Sequence, residues 1–151
     1  MKDKEDIIEA LKKVNFLERT EALAEKYKLN PQNTKILSPR KDKVFEIIQK
    51  LGYIPNYAFN DYEMKKADGS KNRFEIMFDI YYSWVQFAFY YREDGLITYS
   101  GAWWKIKAQV ANDEDYRSGS PAFTSYEELE EIITEAVKIY EDSVKALYEE
   151  D

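Results

Sequence analysis

The groups able to do chemistry here are carboxylates, amines, hydroxyls and aromatic rings, because the 151 residues include neither histidine nor cysteine. Histidine is the usual proton carrier near neutral pH, and zinc sites draw on histidine and cysteine ligands. A Ser-His-Asp triad, a Cys-His pair and a structural zinc site are therefore excluded. The five glycines stand singly, so no glycine-rich loop cradles a phosphate. Carboxylate chemistry survives, since glycoside hydrolysis needs only two acids and magnesium takes oxygen ligands. Asp113-Glu114-Asp115 is the densest acidic triplet in an irregular loop, and Glu75 and Asp79 share the polar side of one strand. Solvated surface charge accounts for both groups without any catalysis.

Aromatic residues are the stronger clue, at 16% of the chain with 13 Tyr, 8 Phe and 3 Trp. Neighbouring strand residues point to opposite faces, so Tyr81-Tyr82, Tyr90-Tyr91 and Trp103-Trp104 each place one ring on either side. Strand parity puts Tyr81 and Tyr90 on the polar face. If Gly101 marks a bulge, Trp103 joins them beside Arg92 and Lys105, while Ile97, Tyr99, Trp104 and Ile106 face inward. A patch of Tyr, Trp and Arg has the composition of a protein-binding hot spot or of a stacking platform for rings. Helices covering both faces would instead bury all these rings as core.

Charge supplies the third candidate. Residues 1–111 carry 19 Lys/Arg against 16 Asp/Glu, whereas residues 112–151 carry 3 against 13. The last helix presents Glu127, Glu128, Glu130, Glu131, Glu135, Glu141 and Asp142 on one side, with Glu127, Glu130 and Glu131 as the binding candidates. Such a surface suits a basic protein partner and disfavours direct nucleic-acid binding, which rests on phosphate neutralisation.

The elements that would hold these residues follow from apolar spacing and punctuation. Helices are predicted over 5–14 and 16–27, and a third after Ser38-Pro39 as N-cap and first turn, closing at Gly52. Residues 73–84 alternate with period two, and the parity switches near Ser83–Val85, at a bulge or a turn. Asp68-Gly69 and Asp94-Gly95 mark hairpins, pairing a strand at 57–65 with 73–82 and one at 85–92 with 96–107. Thr124 and Ser125 stand at capping-box spacing before a helix running to about Tyr148. The expectation is a single α+β domain over residues 1–151: an antiparallel meander of about four strands, with N-terminal helices and a long C-terminal helix packed on it.

No apolar run reaches the roughly 20 residues of a membrane span, and the charged first residues lead into no signal-like apolar stretch. These features predict a cytoplasmic protein with no cofactor. The leading expectation is a non-enzymatic macromolecule-binding protein, such as an immunity or inhibitor protein against a basic toxin or nucleic-acid enzyme. The alternatives are a small-ligand binder with an aromatic pocket of Tyr82, Tyr91 and Trp104 between sheet and last helix, and a carboxylate-dependent enzyme.

Overall fold

The computed structural model describes residues 2–29, 38–66 and 74–149. Helix α1 (Lys4–Lys13) begins at a reciprocal cap. Asp6 N–H donates to Asp3 Oδ1 at 2.9 Å, and Asp3 N–H donates to Asp6 Oδ2 at 3.0 Å. Aspartate thus takes the place that glutamate or glutamine usually holds in a capping box. Helix α2 (Phe16–Lys26) follows Asn15, whose φ of 58° turns the chain between the two. Helix α3 (Lys41–Lys50) starts two residues later than Ser38-Pro39 suggest. Its first turn closes on Arg40, whose carbonyl accepts from Lys43 and Val44 at 3.1 Å each, and Arg40 N–H donates to Tyr126 Oη at 3.0 Å. Gly52 then ends the helix at φ +91°, in the left-handed region where glycine carries no Cβ penalty.

The sheet is a five-stranded antiparallel meander in the order β1-β2-β3-β4-β5, formed by Tyr53–Ala58, Asp61–Lys66, Phe74–Tyr81, Trp84–Glu93 and Leu96–Ala102. Two expectations change. The strand expected at 57–65 is two strands, because Phe59 and Asn60 at φ 53° and 69° turn the chain back tightly between them. The strand expected at 96–107 ends at Ala102, and α4 (Trp103–Ala111) follows directly. Burial at Trp103, Ile106 and Lys107 has the three-to-four spacing of a helix rather than a strand's period of two. The parity switch is a turn at Tyr82-Ser83, since Tyr81 pairs with Trp84. Asp94-Gly95 forms its hairpin with both φ values positive, 51° and 82°. Asp68-Gly69 lies outside the described residues.

Strand alternation directs Tyr62, Met64, Phe74, Ile76, Phe78, Val85, Phe87, Phe89 and Tyr91 to one face, and all are buried. Helix rings meet the sheet there: Phe16 with Phe89, Trp103 with Phe87 and Phe89, Phe45 with Tyr62, and Tyr140 with Phe74 and Phe89. Helix α5 (Tyr126–Tyr148) starts at Ser125, whose Oγ accepts from Glu128 N–H at 3.1 Å, as its spacing predicted. It lays Leu129, Ile132, Ile133, Ala136, Tyr140 and Leu147 into the same core. At about 1.5–3 kcal/mol for each fully buried large apolar side chain, this packing outweighs any intrinsic helix preference. No described helix is long and apolar enough to cross a membrane.

With the helices on one face, the other face of the sheet is left as a candidate surface. The segment after α4 returns to the sheet at its far end. Val85 N–H donates to Pro121 O and Phe123 N–H to Ser83 O, each at 2.9 Å, so this stretch continues the edge of β4 beyond the reach of β5.

Candidate functional site on the outer sheet face

The register lays the outer-facing residues in rows across the strands. Tyr81 and Trp84 form the row nearest the Tyr82-Ser83 turn. Asp79 pairs with Gln86 in the next row, and extending the β2–β3 register places Asp61 beside Asp79. Glu63, Met77, Ala88 and Ala102 follow, then Glu75, Tyr90 and Ser100, and finally Arg92 and Ile97. The turn Phe59-Asn60 lies at the same end as Tyr82-Ser83, so one rim of the sheet carries Phe59 at 97% exposure, Tyr81 at 57% and Tyr82 at 55%. The Tyr81 and Tyr82 rings meet edge to face at 4.6 Å between centroids.

A tight turn with two positive φ angles favours Asn-Gly, and a bulky aromatic at its first position is strained by about 1–2 kcal/mol. The Phe59 ring recovers none of this by packing, being almost wholly exposed. Replacing Phe59 with Asn is therefore expected to stabilise the fold by about 1 kcal/mol, raising Tm by roughly 3 °C in a calorimetric scan. A drop in Tm would mean that the ring makes stabilising contacts.

The carboxylates of this face fall into two groups. Glu63 accepts from Asn56 Nδ2 at 2.8 Å and lies 3.6 Å from Lys65 Nζ. Glu75 lies 3.6 Å from Arg92 Nε, and the Arg92 guanidinium stands 5.1 Å from the Tyr90 ring centroid. Asp61 and Asp79, by contrast, form no ion pair with a described cation. Burial, and secondarily Glu63, pushes the Asp61 carboxyl above its usual 3.8, and burial with Asp61 does the same to Asp79.

Both groups thus hold protons more tightly in the folded chain than in the unfolded one. Stability gained from them rises as pH falls through the window just above 3.8, and at neutral pH their charges oppose folding. Asp79→Asn is expected to stabilise the protein at pH 7 by up to about 1 kcal/mol, the scale of opposed like charges on a sheet. That advantage should vanish below pH 3.8 in denaturant titrations.

The predicted patch of Tyr81, Tyr90 and Trp103 does not form. Tyr81 and Tyr90 share the outer face as parity required, but Tyr90 pairs with Glu75, six residues from Tyr81 along β3. At about 3.3 Å per residue the two rows are roughly 20 Å apart. Tyr90 is only 3% exposed. Trp103 is buried at 5% exposure among Phe16, Phe87 and Phe89, because it opens a helix rather than continuing a strand. Trp104 and Ile97, expected inside, are exposed instead. The register shift lies between Tyr91 and Arg92 rather than at Gly101, which reverses the outer end of β5. Lys105 is exposed on α4, and Arg92 is tied to Glu75 and Tyr90.

Of the acidic helix candidates, Glu127 is exposed in the first turn of α5. Glu130 meets Lys50 Nζ at 3.1 Å, and Glu131 accepts a hydrogen bond from the Tyr27 hydroxyl. Burial, with Glu131 second, pushes that phenol up to about 12. Two of the three thus fasten α5 to α3 and α2.

The three rings of the expected aromatic pocket go to separate places: Tyr82 to the rim, Tyr91 to the core and Trp104 to the surface of α4. Phe74 and Tyr140 stack between the sheet and α5, with the Phe89 ring tilted against both. Asp113, Glu114 and Asp115 lie exposed after α4, with Asp115 N–H folded back onto Asp113 Oδ1 at 3.0 Å. Among the described residues no group of three or more acids converges on a metal position.

Phe59 and Asp61 escaped the sequence reading, and Tyr82, expected on the inner face, stands exposed on the rim. The usable signal was Asn60-Asp61, a turn-forming pair inside a stretch read as one strand. Compared with protein-family models, curated proteins and solved structures, the chain finds no match in any of the three.

Proposed function

We propose that this protein is a non-enzymatic binding module that docks a basic protein partner on the rim of its outer sheet face. The observation carrying this reading is the exposed row of Phe59, Tyr81 and Tyr82 beside two carboxylates, Asp61 and Asp79, that lack a described counter-charge. Exposed rings supply contact area at small entropic cost, and tyrosine is enriched among hot spots. Opposite charge accelerates encounter and sets orientation. A partner bringing Lys or Arg would both cover the rings and relieve the repulsion between Asp61 and Asp79. Inhibition of a basic toxin or nucleic-acid enzyme, as an immunity-type protein, is the biological role that fits this chemistry best.

The test uses a photo-crosslinking amino acid at position 82 to capture the partner in cells of the native host. Affinities are then measured with the purified partner. The proposal expects a partner with a basic contact surface, and binding weakened at least tenfold by Tyr81→Ala. An acidic partner, or affinity unchanged in that variant, would overturn it.

A further inference from the structure

Helix α4 sets Trp103 and Lys107 one turn apart on one face, and both are buried. Lys107 Nζ donates to Ser118 Oγ at 2.7 Å, reaches Gly119 O at 3.5 Å, and lies 3.8 Å from Glu21 Oε1. Glu21 Oε1 in turn accepts from Tyr116 Oη at 2.7 Å. Trp103 Nε1, equally buried, has no hydrogen-bond partner among the described residues. An indole N–H left buried without a partner forfeits its hydration with nothing in return, which a native fold rarely tolerates. The same two residues line a small cavity of about 20 Å³, together with Thr20, Gln86, Gly119 and Ser120. One water fits such a volume, given two or more polar partners.

We propose that this cavity is a binding site for a single ordered water, which accepts from Trp103 Nε1 and bridges α4 to α2 and the 119–121 segment. Thr20 Oγ1 donates to Phe16 O at 2.8 Å, which leaves its lone pairs to receive a proton from the water. The occupant is water rather than an anion such as chloride. Glu21 already balances the Lys107 ammonium, and Ser118 and Gly119 engage its protons. The site lies where β5 ceases to pair with β4 at Ala102 and the 121–123 segment takes over at Trp84. Water there fills a gap in the layer that neither segment covers.

The experiment is a water-to-protein cross-relaxation measurement on the folded, full-length protein, with a chloride-for-gluconate titration beside it. A strong cross-peak of bound-water sign between solvent and the Trp103 indole N–H is expected, with its indole shift unmoved by chloride. Thr20→Val, which removes an acceptor but keeps the shape, should weaken that cross-peak several-fold. Absence of the cross-peak in the unsubstituted protein would overturn the proposal, as would a saturable chloride-dependent shift of the indole N–H.

Discussion

Phe89→Ala is expected to lower the free energy of unfolding by about 4 kcal/mol, within the roughly 3–5 kcal/mol that a buried Phe→Ala change costs. The ring is wholly buried and lies 4.9 Å from Phe74, 5.4 Å from Trp103, 5.8 Å from Phe16 and 6.0 Å from Tyr140, centroid to centroid. It is therefore where α2, α4 and α5 all meet the sheet. Two terms add: lost transfer energy, and a cavity that three helices and a strand cannot close together. Tyr140 is further fixed by its hydroxyl donating to Phe74 O at 2.6 Å, which restrains it from moving into the space. Domains of this size are stable by about 5–15 kcal/mol, so the loss removes a large part of the margin. Urea titration of the variant checks it. A loss under about 2 kcal/mol would show that the cluster collapses around the gap, and Phe59→Ala, at an exposed ring, serves as the control with no loss.

The double reversal Asp61→Lys with Asp79→Lys is expected to weaken the captured partner's binding at least 100-fold, or about 2.7 kcal/mol, while moving the fold's stability by no more than about 1 kcal/mol. The direction follows from the row structure, since both positions flank the exposed rings and would meet a basic surface with like charge. Stability changes little, because one like-charged pair replaces another and neither carboxylate is held by a described cation. The comparison triple, Glu127→Lys, Glu130→Lys and Glu131→Lys, acts on α5 and should change affinity less than threefold. It should cost stability instead, through the lost Lys50 and Tyr27 contacts. The opposite ranking in a calorimetric titration would move the binding surface from the sheet to the helix.

Much of the fold was legible because period and punctuation agreed. Alternation through Phe74, Ile76 and Phe78 assigned β3 its buried face, and Ser125 with Glu128 marked the start of α5. The candidate site was less legible. Strand parity gave Tyr81 and Tyr90 a common face, but parity carries no distance, and the pairing of Tyr90 with Glu75 separates them. Trp103 was misplaced because Leu96–Ala102 passes into α4 with no N-cap side chain and no proline to mark the join. The rim at Phe59 was hidden by a turn whose residues are not the favoured ones. A bulky residue in a positive-φ position reads as strand from composition alone, since its strain is imposed by the pairing of β1 with β2.

The alternation that buries one face of the sheet also divides the chain's obligations by residue parity. Along β3, Phe74, Ile76 and Phe78 hold the helices, while the interleaved Glu75, Met77, Asp79 and Tyr81 answer to whatever lies outside. Descendants of this sequence can therefore exchange the second set and acquire a new counterpart without disturbing the first. Recognition can drift at the rate of surface change while the architecture stays fixed.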